Sequence, residues 1–152
     1  MRKRMAQILA ISVSVPLLAL AAPEAAFANG SVTWRDAATN LYLGVDMVNF
    51  PGHVYTYSSA NNGDIHWYDV SQSDGTYEER IDDSSGQCLD SNSSGSVYYG
   101  TCNGGNYQHW SETYTSTGWE LIDKATNLCL DSNSSGSVYT LKCNGGNNQR
   151  WH

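Results

Sequence analysis

The side chains best equipped for chemistry lie in one string that occurs twice. Cys129 to Trp151 reads CLDSNSSGSVYTLKCNGGNNQRW, and Cys88 to Trp110 reads CLDSNSSGSVYYGTCNGGNYQHW. The copies agree at 18 of 23 positions, so the chain reuses one small structural unit. All four cysteines fall in these copies, Cys88 with Cys102 and Cys129 with Cys143, each pair 14 residues apart. Disulfides within each copy are the pairing that treats equivalent units equivalently. Each closes a loop of about 15 residues and contributes on the order of 3 kcal/mol in the chain-entropy picture. Zinc is the rival reading, but the spacing is too wide for C-x-x-C and no His is suitably placed.

Other chemistries fail on spacing. Asp131-x-Asn133-x-Ser135-Gly136, like Asp90 to Gly95, matches the start of a calcium-binding loop. The twelfth position, which should be a bidentate Glu, is Lys142 or Thr101, so both stretches read as turns and no metal is expected. Glu78-Glu79 and Asp82-Asp83 could suggest a glycosidase acid pair. Adjacent strand residues point to opposite faces, so these are expected to be solvated charges. His66 and His109 occupy the middle of the Gln-x-Trp position where the last copy has Arg150, which points to a solvent-facing site. No nucleophile elbow or Ser/His/Asp arrangement is present, so neither catalysis nor a cofactor is expected.

The elements that position these residues repeat a third time. Val54-Tyr55-Thr56 matches Val138-Tyr139-Thr140, and Trp67 follows Val54 by 13 residues, as Trp151 follows Val138. Upstream, Asp36 to Leu43 aligns with Asp123 to Leu130, which divides the chain into units near 30–70, 71–113 and 114–152. Each unit reads as short strands separated by Ser, Asn and Gly turns: Ser111–Tyr114, Trp119–Asp123, Leu128–Leu130 and Val138–Leu141 around the last copy. Ser132 to Gly136 is read as turn. No sustained helical periodicity appears, so the class is all-β. Three such units are too few for an open solenoid but can close around a pseudo-threefold axis, burying their apolar faces without free edges. Trp67, Trp110 and Trp151, with Leu43, Leu89 and Leu130, are the expected core. Gln108 and Gln149 are expected to tie down the loop backbone beside it.

Arg2, Lys3 and Arg4, the apolar run from Ile8 to Ala22 and the Ala26-Phe27-Ala28 site read as a signal peptide over 1–28. A secreted, extracellular domain of residues 29–152 is therefore expected, with no membrane insertion. That segment carries five basic and fourteen acidic residues, a net charge of −9, which disfavours nucleic acid and anionic lipid. Its polar residues are mostly Ser, Thr, Asn and Gly, a surface suited to uncharged polar ligands.

Three units of C-L-D followed by Q-x-W resemble the ricin-type lectin β-trefoil, over nearly the whole segment from Ser31-Val32-Thr33 to Trp151. The string L-D-S-N-x-x-G-x-V-Y-T-L-x-x-N-G-G-N-x-Q-x-W is most similar to the actinohivin-like branch, actinomycete lectins for high-mannose glycans. The resemblance implies a twelve-stranded β-trefoil with up to three shallow sugar sites, one per unit. It implies that glycans or glycoproteins, high-mannose ones first, are the partners; the sequence does not fix the oligomeric state, and a monomer is the working expectation. The implied site in the third unit is Asp131, Tyr139, Leu141 and Asn144, and in the second Asp90, Tyr98, Asn103 and Tyr107. On these terms the Asp accepts hydrogen bonds from adjacent sugar hydroxyls. The Asn offers a donor and an acceptor, and the Tyr ring faces sugar C–H groups.

The units are unequal. The third has Asn148 where the second Tyr would be, and the second has Gly100 for the Leu. The first keeps Tyr55 but has Gly44 for the Asp, Ala60 for the Asn, Tyr57 for the Leu and Asp64 for the second Tyr. Its Q-x-W is Ile65-His66-Trp67, and Tyr42 and Ser59 replace the cysteines. It is expected to hold the fold without binding. A protein-binding or inhibitor trefoil, or a stand-alone polysaccharide-binding module of xylan or galactose type, are the alternatives.

Overall fold

The computed structural model describes residues 29–46, 51–58, 64–82 and 85–152. The expected signal peptide over 1–28 lies outside the described residues, as do Ser59 and Ala60 of the first unit and Asp83. Eleven strands follow in order among the described residues: β1 (Gly30–Val32), β2 (Tyr42–Val45), β3 (Gly52–Tyr57), β4 (Trp67–Ser71), β5 (Tyr77–Arg80), β6 (Gln87–Ser91), β7 (Val97–Thr101), β8 (Trp110–Thr115), β9 (Gly118–Asp123), β10 (Cys129–Ser132) and β11 (Val138–Leu141). Where a twelfth strand is expected, Trp151 makes single bridges to Asp36 and Trp119.

The pairing is antiparallel and repeats with the sequence. Val32 lies opposite Trp67, Tyr77 opposite Trp110, and Trp119 opposite Trp151. Three hairpins repeat as well: β2 on β3, β6 on β7 and β10 on β11. This is the β-trefoil, three units around a pseudo-threefold axis. The core holds Leu43, Leu89 and Leu130 together with Trp67, Trp110 and Trp151, all essentially inaccessible to water. Each indole N–H donates to a leucine carbonyl in its own unit: Trp67 to Leu43 at 3.1 Å, Trp110 to Leu89 and Trp151 to Leu130 at 3.2 Å. A buried indole keeps its polar edge satisfied this way, and one spacing serves all three units.

Neighbouring units are clasped through aspartates. Asp36 Oδ1 caps the turn that follows it by accepting the amides of Ala38 and Thr39, and Asp123 Oδ1 accepts that of Thr126. Their other oxygens cross to a neighbouring unit: Ser132 Oγ of the third donates to Asp36 Oδ2 of the first at 2.5 Å, and Ser91 Oγ of the second donates to Asp123 Oδ2 of the third. Ser132 is therefore the last residue of β10, paired with Val138, and not part of the turn expected from sequence. In the first unit Val45 stands in place of this serine and packs in the core.

Candidate functional site

The repeated register sets the site before any ligand is considered. On the β10–β11 hairpin Asp131 lies directly opposite Tyr139, and on β6–β7 Asp90 lies opposite Tyr98. Leu141 is two residues beyond Tyr139 on the same face and is exposed. Both disulfides form within their units, Cys88–Cys102 and Cys129–Cys143, and pin the second strand of each hairpin where the Asn-Gly-Gly loop begins.

Each aspartate is only 4–7 % exposed and is held by the glutamine of Gln-x-Trp. Gln149 Nε2 donates to Asp131 Oδ2 at 2.8 Å and to the Lys142 carbonyl, while its Oε1 accepts the Asn144 amide at 2.8 Å. Gln108 repeats the pattern with Asp90 Oδ2 at 2.7 Å, the Thr101 carbonyl and the Asn103 amide at 2.7 Å. The glutamine thus ties down the loop, and it also fixes the carboxylate. This second job is missing from the sequence reading. Its signal was available: Asp and Gln are lost together in the first unit, as Gly44 and Ile65.

Burial pushes the Asp131 and Asp90 carboxyls up from the ordinary carboxylate range, and the hydrogen bonds from Gln149 and Gln108 pull back against it. A partly desolvated, pre-oriented carboxylate beside a tyrosine hydroxyl is a strong acceptor for a neutral hydroxyl donor. The asparagines differ from expectation. Asn144 Oδ1 accepts the Gly146 amide and Asn103 Oδ1 accepts the Gly105 amide, both at 2.7 Å. Their oxygens are committed to the loop, so their NH₂ groups are what they present as exposed donors. Tyr107 is exposed on the 3₁₀ turn Asn106–Gln108, and Asn148 is half-buried on the matching turn Asn147–Gln149.

In the first unit the same location is closed. Gly44 lies opposite Tyr55, but a Cβ there would meet the Asp64 carbonyl oxygen at 2.6 Å and the Ile65 side chain at 3.0 Å. Val45 and Asp64 exchange backbone hydrogen bonds that hold this chain against β2. An apolar plug fills the space of the polar Asp–Gln pair.

Two expectations about charges are corrected. His109 and Arg150 are buried at 8 % exposure, whereas His66 is exposed. The middle residue of Gln-x-Trp packs against an acid on the facing strand: Arg150 Nη1 donates to Glu120 Oε1 at 2.5 Å, and His109 Nε2 lies 3.8 Å from Glu78 Oε1. Glu78 and Glu79 are buried on β5 and are not solvated charges. Glu78 is paired with Arg80 at 2.7 Å. Glu79 enters the core, where Trp34 Nε1 donates to its Oε2 at 3.0 Å.

The family profile of the ricin-type beta-trefoil lectin domain matches residues 31–151. The chain belongs to that family. A search of curated proteins finds no match. Among solved structures this lectin domain is similar to ThreeFoil, a designed 3-fold symmetric protein, at 23 % identity and TM-score 0.64, over 80 % of this chain and 95 % of that one. It is similar to the hemolytic lectin CEL-III at 28 % identity and TM-score 0.63, over 80 % of this chain and 29 % of that one. An exo-beta-1,3-galactanase from Clostridium thermocellum matches at 21 % identity and TM-score 0.70, over 80 % of this chain and 29 % of the enzyme. The lectin domain spans under a third of the last two proteins. Family membership and the lectin likeness support a carbohydrate-binding role.

Proposed function

We propose that the protein is a non-catalytic, exported lectin that binds neutral glycans, mannose-type first, through two shallow sites. The second unit contributes Asp90, Tyr98, Asn103 and Tyr107, and the third Asp131, Tyr139, Leu141 and Asn144. The observation that carries this reading is the Asp–Gln–loop relay, built with the same partners and nearly the same distances in two units and replaced by Gly44 and Ile65 in the first. In each site the carboxylate takes sugar O–H groups, the asparagine amide donates to a sugar oxygen, and the tyrosine ring covers a C–H face. One such site is weak. Two on one rigid domain raise apparent affinity by about 10²–10⁴-fold on a multivalent glycan whose spacing fits.

The motif string favours mannose-type ligands, and the fold likeness to part of a galactanase keeps polysaccharide capture as the second reading. A glycan array followed by competition with free mannose and galactose separates them. High-mannose signals competed by mannose support the proposal. Retention on insoluble galactan or xylan without array binding supports the second reading, and binding to a protein that no sugar competes contradicts both.

A further inference from the structure

A second polar cluster lies in the barrel, away from the Asp90 and Asp131 hairpins. Asp69 on β4, Glu79 on β5 and Glu112 on β8 each offer one carboxylate oxygen, and these three oxygens lie within 4.8 Å of one another. Asp69 and Glu79 are direct cross-strand partners, and Glu112 is the partner of Leu121. In the repeat register Asp69 and Glu112 both follow their unit's Trp by two residues, and Glu79 takes the place that Leu121 holds in the third unit. Leu121 is wholly buried in the core, so one unit has a carboxylate where its sibling has an apolar side chain.

Nothing among the described residues neutralises this arrangement. Asp69 Oδ1, Glu79 Oε1 and Glu112 Oε1 are buried without a hydrogen-bond partner. Glu79 has no exposed surface, and Asp69 is more than nine-tenths buried. The Trp34 indole N–H donates to Glu79 Oε2, and no Lys, Arg or His among the described residues lies within ion-pair distance of the three carboxylates. Buried carboxylate oxygens facing one another without donors are costly, and a cation is the partner that satisfies all three at once.

We propose that Asp69, Glu79 and Glu112 bind a divalent, oxygen-seeking cation, Ca²⁺ foremost, at the junction of the first two units. The donor set is all carboxylate, the chemistry that selects hard cations over zinc or copper. Calcium–oxygen distances of about 2.3–2.6 Å place ligands on opposite sides of the ion up to ~5 Å apart, which accommodates the observed spread. Glu112 is half-buried and the least enclosed of the three, and water would complete the coordination on its side. The site joins β4 of the first unit to β5 and β8 of the second, so its occupancy acts on the stability of the trefoil.

The test uses the purified protein stripped with EDTA, titrated with CaCl₂, MgCl₂ or MnCl₂ by calorimetry and by thermal unfolding. Calcium is expected to bind with one equivalent and to raise the Tm by about 5 °C or more at a hundredfold excess over its Kd. Glu112→Gln is expected to weaken binding at least ~10-fold. Glu79→Leu, copying Leu121, is expected to abolish the calcium response while leaving the EDTA-treated protein at least as stable as the parent. No heat and no Tm change for any of the three cations up to about 10 mM, above the weakest extracellular calcium sites, overturns the proposal and leaves the carboxyls sharing protons. An equal calcium response from the parent and Glu79→Leu overturns it too, because the ion then sits elsewhere.

Discussion

Gly44→Asp asks whether the first unit lacks a site because it lacks one side chain or because the site has been filled. By sequence the substitution restores the Leu-Asp pair of the other units. In the structure a Cβ at Gly44 lands 2.6 Å from the Asp64 carbonyl oxygen, 3.0 Å from Ile65 Cγ2 and 3.1 Å from Tyr57 Cδ2. The closest atom is backbone, held by the hydrogen bonds between Val45 and Asp64, so it cannot swing aside as a side-chain tip would. The new carboxylate would also face buried Ile65 in place of a glutamine amide. Overpacking of this kind costs about 1–3 kcal/mol, and an unpaired, partly buried charge adds to it. The expected outcome is a midpoint lowered by roughly 5–15 °C, with glycan stoichiometry unchanged at two sites per chain. Thermal unfolding and calorimetric titration of the parent and variant measure both quantities. A variant as stable as the parent that binds a third equivalent of sugar refutes the steric argument.

Gly100→Leu is the contrasting case: a Cβ there meets nothing within 4 Å, so the second unit should regain the apolar lip that Leu141 gives the third. Stability is expected to hold or rise by up to ~1 kcal/mol, with a few-fold gain in glycan affinity measured by calorimetry. Cys129→Ala with Cys143→Ala should cost on the order of 3 kcal/mol in urea unfolding and weaken the third site, because the disulfide anchors the strand end beside Asn144. A stability loss with no effect on binding would show that the loop is held by Gln149 alone. In EDTA, stability should fall as pH rises from about 5 to 8. Burial, then the neighbouring carboxylates, push Glu79 well above the ordinary carboxylate value and Glu112 to about 7, and burial also raises Asp69. Groups raised on folding favour the folded state while protonated. Their contribution is present below the unfolded carboxyl pKa and lost as pH climbs through the folded one, on the order of 1–2 kcal/mol after discounting Glu112 for its contact with water. A Tm flat across that range, measured by calorimetry, would contradict this.

The fold was legible because it is written three times. The recurrence of Trp67, Trp110 and Trp151 at one distance from Val-Tyr, with the Leu before each site, is enough to imply a closed threefold core, and the two cysteine pairs follow from the same equivalence. What escaped the sequence were contacts between elements far apart in the chain. His109 and Arg150 looked solvent-facing because both are polar at a variable position, but each meets an acid across strands, and that pairing appears only once β5 and β9 face the Gln-x-Trp segments. Glu79 looked solvated because alternation says only that neighbours face opposite ways, not which faces the core. Ser132 read as a turn residue because its hydroxyl partner, Asp36, lies 96 positions away. The Gln149–Asp131 bond was hidden for the opposite reason: each residue already had a sufficient role of its own, and only their joint loss in the first unit couples them.

The central claim is that two carboxylates, each fixed by its glutamine, carry glycan recognition. Asp90→Asn with Asp131→Asn tests it most directly, because asparagine retains an oxygen to accept from Gln108 and Gln149 while removing the charge that strengthens the bonds to sugar hydroxyls. Titration of the folded double variant with a high-mannose glycan should show affinity at least ~10-fold weaker at each site and loss of the multivalent gain. A double variant that unfolds at the parent temperature and binds the same glycan within about twofold would place recognition elsewhere on the trefoil.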